Sequence, residues 1–539
     1  MQKFYFAMVL KYKEHIFRLW LFVLISISHG ILKAQPISLS AKKMKSIQID
    51  GHSGQLLKGN VQFEQQGSRV YCNEAEYDPQ TESLKGYGDV KIINAEGTVV
   101  TGNSLIFDNA SHTAKVDGNV KLVDNTMTLL TPWLQYNTQT RVGWYGSGGV
   151  INDKKTKLTS VSGSYNPVSK TLFFKQNVVL QTPDYTIKTD TLQYNTQSKT
   201  ARFFSFTQLE YETQTMVFER GNYSTETEQG TFYQKVGMFD NDKTLVADSV
   251  YVNKKNKRGT AYKNVFLVDS VENWRVWGQK ADYTKNTGEI TITGNPLALQ
   301  IDKSDSFFIK ADTLFYSKDS ATQYQKIKAW WNVKFKRNNI SGTSKTLEYQ
   351  SLDSTFKLRG NPVLWDSLTR MSGDTINLFL KNKKLSHSTM YKHGFIAMQE
   401  DENRFSQISG DSMTHLLDAN QKLTQTLVHK DGKSVYFMRE KDSISSVFDI
   451  ECSNIKFNFI NNKISNVYFY IKPIGKIYPL DLFPQEKNKL PGFKWDIENK
   501  PNRRLFGSQF TPLIPKTSYA LNPKKANPSK KGKKKKDKK

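Results

Sequence analysis

One short segment of this chain occurs twice in nearly the same form. The segment "IKTDTLQYNTQ" begins at residue 187, and the similar segment "IKADTLFYSKD" begins at residue 309. Residues equivalent to the tyrosine of each phrase recur every 29 to 33 positions. These anchor residues are Tyr77, Phe107, Tyr136, Tyr165, Tyr194, Tyr223, Val252, Tyr283, Tyr316, Tyr349 and Leu378. About a dozen copies of one short unit predict a stacked repeat protein, because one unit cannot bury its apolar face alone.

The pattern within each unit predicts two strands joined by turns. An apolar residue often lies two positions before the anchor, as at Leu192 and Leu314, so both side chains share one face of a strand. Turn-forming phrases such as "YNTQ" follow the anchor, and a "GNV"-type signature, as at Gly118, lies between anchors. We therefore predict an all-β chain. One layer per unit gives a stack about 60 Å long, and two layers per unit double that length.

Changes in composition along the chain predict its segments. Residues 1–34 join a basic start to a short apolar run, which is typical of a cleaved secretory signal, with an uncleaved anchor as the alternative. Residues 35–471 carry the repeats, with a break expected near 203–237, where the Gly-Asn signature is missing. Residues 472–515 form a Pro-rich terminal segment, and 516–539 form a disordered Lys-rich tail. The signal predicts an exported protein.

The charge of the chain favours anionic partners. The formal net charge is +27, and the tail 516–539 alone holds eleven Lys against one Asp. Such a balance suits phosphorylated lipid, acidic glycan or nucleic acid. Export argues against nucleic acid, so no nucleic-acid partner is expected. The two cysteines, Cys72 and Cys452, are too few for a disulfide framework and are expected to be buried.

The sequence carries no recognisable catalytic or metal-binding motif. It lacks a Gly-x-Ser-x-Gly elbow, a phosphate loop and a His-Glu-x-x-His zinc motif. Four histidines near the C-terminal end lack metal-ligand spacing, namely His387, His393, His415 and His429. One aspartate recurs four residues before successive anchors, at Asp190, Asp248, Asp312, Asp374 and Asp411. Recurrence in many units indicates a structural role at a bend. We therefore expect no catalytic residues, no metal, no cofactor and no enzymatic activity.

The apolar stripe formed by the anchors has two interpretations. It is either a dry core between sheets or a continuous trough for acyl chains. From spacing alone the dry core is favoured, because most apolar stripes are packed interiors.

The repeated unit resembles the OstA-like superfamily. The matching stretches include "VTGNSLIFDNASHTAKVDGNVKLVD", "IKTDTLQYN", "IKADTLFYSKD" and the closing "LPGFKWDIENKP". This superfamily includes the periplasmic lipopolysaccharide-transport bridge and the amino-terminal domain of the outer-membrane lipopolysaccharide assembly protein. The resemblance covers roughly residues 37–501. It implies a repetitive twisted β-jellyroll, an open V-shaped, solenoid-like stack of short strands, whose apolar groove carries acyl chains.

The resemblance also implies a function. The chain is expected to be a periplasmic, non-enzymatic lipid-binding bridge that takes part in lipopolysaccharide transport to the outer membrane and in its assembly. Expected partners are lipopolysaccharide or another acylated anionic lipid, other transport proteins of the inner and outer membranes, and a second copy joined end to end. Association with the outer membrane is a further expectation. The candidate groove residues are Leu105, Phe107, Leu134, Tyr136, Leu192, Tyr194, Leu314, Tyr316, Leu347 and Tyr349.

Two alternatives stay open at this point. One is a parallel β-helix that binds or cleaves an acidic polysaccharide, which would need a local pair of carboxylates for hydrolysis. The other is a structural or adhesive repeat protein, whose repeats need no groove.

Overall fold

A computed structural model describes residues 38–507, except 66, 96, 126, 302–305, 320–321, 383, 421, 441–442 and 461–462. The predicted signal 1–34 and the predicted tail 516–539 lie outside the described residues.

The described chain forms 38 β-strands that belong to one antiparallel sheet. The first nineteen are β1 (Ser38–Ser40), β2 (Lys43–Ile49), β3 (His52–Gln65), β4 (Ser68–Asp78), β5 (Ser83–Ile93), β6 (Val99–Asp108), β7 (Thr113–Asp124), β8 (Met127–Asn137), β9 (Gly143–Tyr145), β10 (Gly149–Asp153), β11 (Thr156–Ser160), β12 (Ser162–Asn166), β13 (Thr171–Gln181), β14 (Tyr185–Asn195), β15 (Thr200–Phe203), β16 (Thr207–Tyr211), β17 (Gln214–Phe218), β18 (Arg220–Ser224) and β19 (Gln229–Asp240). The others are β20 (Lys243–Asn253), β21 (Arg258–Asp269), β22 (Trp274–Thr284), β23 (Glu289–Thr293), β24 (Leu297–Ile301), β25 (Ser306–Lys310), β26 (Thr313–Lys318), β27 (Gln325–Arg337), β28 (Ile340–Gln350), β29 (Thr355–Arg359), β30 (Val363–Trp365), β31 (Thr369–Ser372), β32 (Thr375–Lys381), β33 (Lys384–Gln399), β34 (Phe405–Leu417), β35 (Leu423–Glu440), β36 (Ser443–Ile460), β37 (Lys463–Tyr470) and β38 (Ile474–Pro479).

The strands stack in chain order as full-width layers, which we call rungs. A rung is either one long strand, such as β7, or two collinear strands, such as β9 and β10, which pair with the two halves of β8. The collinear pairs are β1/β2, β9/β10, β11/β12, β15/β16, β17/β18, β23/β24, β25/β26, β29/β30, β31/β32 and β37/β38. The described strands therefore form 28 rungs, two per sequence repeat. At about 4.8 Å per rung the stack is about 130 Å long, which matches two layers per unit.

A bulge that recurs on alternate rungs divides the sheet into two arms. In β7 the register shifts between Asp117 and Val120, and the intervening Gly118 and Asn119 have φ angles of 81° and 50°. Glycine and asparagine tolerate this left-handed region best, which explains the "GNV" signature. We call the half that ends at the "YNTQ"-type turns arm A and the other half arm B.

The break expected near residues 203–237 is not a break in the sheet. Strand pairing continues through β16, β17 and β19. The bulge is also present there, because Gln234 and Lys235 adopt φ angles of 64° and 61° without a glycine.

The core lies between the two arms of the bent rungs. Leu122 and Leu129 of arm B belong to the same buried cluster as Leu134 and Tyr136 of arm A, and this cluster extends from Leu57 to Phe457. The inner faces of the two arms therefore pack on each other, and the predicted all-β jellyroll is confirmed.

The described strand pairs are antiparallel, so the parallel β-helix alternative is wrong. Cys72 and Cys452 are buried free thiols, as expected.

The segment after β38 returns along the outer face of arm B, and we call it the C-terminal strap (residues 480–507). It contains four 3₁₀ helices: Leu480–Leu482, Gln485–Lys487, Ile497–Asn499 and Arg503–Phe506. Phe483 packs with Phe437 and Val447 near one end, whereas Phe506 packs with Phe308 and Leu297 far back along the stack. None of the helices in the described part of the chain has the length and apolar character needed to traverse a bilayer.

Between those ends the strap is held by polar contacts with several rungs. Gln407 accepts a hydrogen bond from the Leu490 backbone amide, and Ser341 donates one to the Pro501 carbonyl, both at 2.8 Å. Arg370 forms a buried ion pair with Asp496 of the strap. The strap thus binds the outer face of arm B across the C-terminal part of the sheet.

Candidate functional site

The anchor residues form one cross-strand series on the inner face of arm A, which we call the tyrosine column. Tyr136 lies opposite Gly143, Gly143 opposite Tyr165, Tyr165 opposite Leu172, and Leu172 opposite Tyr194. The register continues in this way from Tyr77 to Phe457. In this stretch a tyrosine on one rung meets a smaller residue on the next, so the rings have room to lie inside the fold.

Two further apolar columns line the same interior. The leucine column lies beside the tyrosine column on arm A, where Leu105 is opposite Val116 and Val116 is opposite Leu134. The arm B column faces it, and in it Leu122 is opposite Leu129, followed by Ile151. Because apolar positions in all three series contribute to one buried cluster, the interior is continuous along the stack.

The structure brings the ten predicted groove residues together on one wall. All of them lie in the tyrosine or leucine columns of arm A. Phe107, Tyr316 and Tyr349 are half-buried, whereas the other seven are buried. Their contact with lipid remains a prediction.

Sequence reasoning missed the opposite wall, the arm B column. Its signal was present, because apolar residues follow the Gly-Asn signature at alternate positions, as at Val120 and Leu122. Both are buried. The bulge separates this signal from the anchors, since Gly118 and Asn119 lie opposite the single residue Pro132 and interrupt the pairing between the arms.

The tyrosine hydroxyls do not place charge in the interior. Burial raises the pKa of Tyr136, Tyr145 and Tyr194 to about 12, so these phenols stay neutral at physiological pH. The Tyr145 hydroxyl shares a hydrogen bond with Ser160 Oγ at 2.8 Å.

The tyrosine column has a polar stretch near its C-terminal end. His415 lies between Ser388 and Thr426 in the cross-strand register, and all three are buried. His415 Nδ1 and Thr426 Oγ1 are 2.9 Å apart, whereas His415 Nε2 has no hydrogen-bond partner. Burial lowers the pKa of His415 to about 4, so its imidazole is neutral at pH 7.

The other three histidines do not join His415. His387 stacks on Phe379, His393 Nδ1 lies 3.1 Å from Asp374, and His429 is exposed on the outer face. Within the described ranges no group of His, Cys, Asp and Glu side chains is arranged to hold a metal ion.

The recurrent aspartates lie at the bulges and face solvent. Asn264 donates hydrogen bonds to Asp248, and Asn332 donates one to Asp312 at 2.8 Å, each across neighbouring rungs. None of the five predicted members is buried. They are separated along the stack, so the geometry supports the predicted structural role at a bend.

The turns at the end of arm A form a regular series that we call the rim. Residues in left-handed conformation occupy equivalent turn positions there, at His112, Arg141, Lys170, Lys199, Glu228 and Lys257. A backbone amide in each following turn donates a hydrogen bond to the carbonyl of the preceding member. Thr196 donates in this way to Lys170, and Thr225 to Lys199. Successive members are two rungs apart, or about 9.6 Å. Four of these six carry a permanent positive charge, whereas Glu82, at the equivalent position of the preceding turn, is acidic.

Two protein-family models match parts of this chain. The family model described as OstA-like protein matches residues 35–190 and 186–248. The family model described as LptA/(LptD N-terminal domain) LPS transport protein matches residues 301–384. Residues 35–248 and 301–384 belong to the OstA-like superfamily. These matches lie in separate parts of the stack, so the OstA-like unit recurs along this long member.

One solved structure similar to part of this OstA-like chain is that of LptH from Pseudomonas aeruginosa. It is described as the LptA-homologous periplasmic component of the lipopolysaccharide transport device. The similarity has 14% identity, covers 19% of this chain and 77% of that chain, and has a TM-score of 0.18. No curated protein matches the OstA-like chain.

Proposed function

We propose that this chain is a periplasmic, non-enzymatic lipid-binding bridge that takes part in lipopolysaccharide transport to the outer membrane and in its assembly there. The observation that carries the proposal is the set of three inner columns, whose register continues over the stack. A dry structural repeat needs only a local core. A conduit needs a similar apolar surface at successive steps, and the columns supply it over most of the stack.

Burial of acyl chains would drive binding. Each CH₂ group taken out of water contributes about 0.8 kcal/mol, so a chain of a dozen carbons gains substantial free energy in an apolar interior. Because Leu105 and Leu134 occupy equivalent positions on successive units, a chain shifted by one unit meets similar contacts. Movement along the stack therefore changes the binding free energy little and requires no chemical turnover.

Entry of a chain would require the arms to part. The inner faces of arm A and arm B share one buried cluster, so acyl groups would replace contacts such as those between Leu122 and the arm A residues. The bulges provide the bend at which this opening occurs, because they interrupt the ladder between the arms.

The rim supports an anionic cargo. Arg141, Lys170, Lys199 and Lys257 lie at the ends of arm A, outside the neutral interior. Phosphates are recognised by such cations in contact with water, whereas burying them in an uncharged interior would be costly. The headgroup would thus stay at the rim while its acyl chains lie between the arms.

The end rungs suit association with other transport proteins. In the described sheet, β1/β2 and β37/β38 each pair on one side, and an open strand edge is a template for another strand. Similar jellyrolls from inner- and outer-membrane transport proteins, or a second copy of this chain, would extend the interior there. In this proposal the protein lies in the periplasm, with one end at the outer membrane.

The proposal can be tested by native mass spectrometry of protein isolated gently from the periplasm. We expect co-purified adducts with the mass of an acylated, phosphorylated lipid, and their removal by detergent exchange. Protein that is folded by circular dichroism yet carries no lipid, and takes none up from vesicles, would support the structural or adhesive alternative.

A further inference from the structure

The polar stretch of the tyrosine column interrupts an otherwise apolar series. Upstream, the column contains pairs such as Tyr349 with Phe356, and Phe356 with Leu378. The next pairs are Leu378 with Ser388, Ser388 with His415, and His415 with Thr426. Phe457 then follows Thr426, so three consecutive polar positions lie inside the apolar path.

These polar side chains are not fully satisfied by the protein. His415 is 4% exposed and makes its hydrogen bond through Nδ1 only, which leaves Nε2 without a partner. On arm B of β35, the strand that carries Thr426, Ser434 is 3% exposed and its Oγ also has no partner. Ser434 belongs to the arm B column, which faces the same interior. An unpartnered polar atom in an apolar interior is unfavourable unless another group supplies the hydrogen bond.

We propose that His415, with Ser388 and Thr426, forms a hydrogen-bonding site for a neutral polar group carried on an acyl chain, namely a hydroxyl or an amide. This inference rests on the proposed lipid-binding function. A neutral imidazole offers one donor and one acceptor, and a hydroxyl can pair with either. The lining residues carry no charge, so a carboxylate or phosphate would be desolvated there without a counter-ion.

The position of this site gives it a specific consequence. His415 is on β34, three rungs before the end of the described sheet. A lipid whose chain bears a hydroxyl or amide would be held there longer than at the apolar positions upstream. An unsubstituted chain would pass through the stack without such a preferred position.

The experiment compares fatty acids of equal length that differ only in one group. A fluorescent fatty acid is displaced from the full-length protein by an unsubstituted acid, or by acids with one hydroxyl at successive chain positions. We expect at least one hydroxylated acid to bind about fivefold more tightly than the unsubstituted acid, the factor of one net hydrogen bond. His415→Leu should remove that preference and leave the unsubstituted acid unaffected. His429→Leu, on the exposed face, should retain it.

The outcomes separate this inference from the proposed function. If no fatty acid binds, the proposed function fails as well. If all acids bind equally to the wild type, the proposed function stands and the hydroxyl site is wrong. The wild-type comparison does not depend on any variant. If His415→Leu does not fold, Thr426→Val should reduce the same preference, and a preference unchanged in that folded variant would also overturn the site.

Discussion

The ring of Tyr145 covers Gly163, the residue opposite it across β9 and β12. A Cβ atom at position 163 would lie 2.6 Å from Tyr145 Cε1, closer than any ordinary contact. The pair belongs to the leucine column, and the same arrangement of a large residue beside a glycine occurs at Tyr223 and Gly230. The interior is therefore shaped by complementary sizes on neighbouring rungs.

This relationship predicts a strong coupling between the two residues. Gly163→Ala should lower the free energy of unfolding by about 1–3 kcal/mol, because the ring must move to admit the methyl group. In a Tyr145→Leu background the same change should cost less than about 0.5 kcal/mol. Urea denaturation of the single and double variants measures the coupling. Equal costs in both backgrounds would contradict close contact between the pair.

The C-terminal strap should depend on the ion pair between Arg370 and Asp496. Arg370 has 5% of its side chain exposed, so Asp496→Asn leaves a buried cation without its carboxylate. We expect docking of the strap to weaken by on the order of 2 kcal/mol. This loss is smaller than the loss expected for a fully buried ion pair, because 30% of the Asp496 side chain is exposed.

Hydrogen exchange of residues 480–507 should measure this effect as faster exchange in Asp496→Asn. Glu74→Gln is the matched control, because its pair with Lys58 is well exposed and should contribute under about 1 kcal/mol. Exchange in the strap that is the same in both variants would argue against the ion pair as its main polar contact.

The free energy of unfolding should decrease as the pH is lowered through a window set by His415. Burial lowers the pKa of His415 to about 4 in the folded protein, against an ordinary value of 6.5. Between these values the unfolded chain holds the extra proton, so acidification favours unfolding by about 1.4 kcal/mol per pH unit. This loss is absent above pH 7 and complete below pH 4.

A comparison with His415→Phe isolates that contribution, since other titrating groups are common to both proteins. Urea denaturation at pH 7 and 4.5 should show the wild type losing about 2–3 kcal/mol more than the variant. Parallel losses in the two proteins would show that His415 titrates normally.

The rim predicts salt-sensitive binding of anionic lipid. Replacing both Lys170 and Lys199 with Glu should weaken binding to lipopolysaccharide by about thirtyfold at low salt, because each lysine contributes roughly 1 kcal/mol to the binding free energy. The difference should shrink at high salt because exposed charges are screened. Lys91→Glu with Lys121→Glu reverses two exposed charges of similar spacing on the outer face of arm B. An equal loss in that control would indicate a general charge effect.

Much of the fold could be predicted from local pattern. The anchors and their partners two residues earlier alternate with period two, so Leu192 and Tyr194 had to share a face. The number of rungs per repeat could not be predicted, because Gly118 and Asn119 could mark a turn or a bulge equally well. At Gln234 and Lys235 the same bulge forms without glycine, since long-range strand pairing outweighs the local backbone cost.

Two features depended on contacts that sequence patterns do not reveal. The strap residue Pro501 meets Ser341, which is 160 positions earlier in the chain. Nothing in the local sequence of either residue indicates that pairing. His415 resembled the other histidines of its region until the register placed it in the tyrosine column. Its burial follows from the global alignment of rungs.

We propose that the inner face of arm A contacts acyl chains. Leu314 and Phe315 are adjacent on β26, but Leu314 is buried in the core cluster, whereas Phe315 points to the other face beside Trp330. A photo-reactive amino acid placed at each position in turn, in cells, provides the most direct measurement. We expect crosslinks to lipopolysaccharide from position 314 and few or none from 315. Equal crosslinking from both positions, or none from 314 in a folded and exported protein, would contradict it.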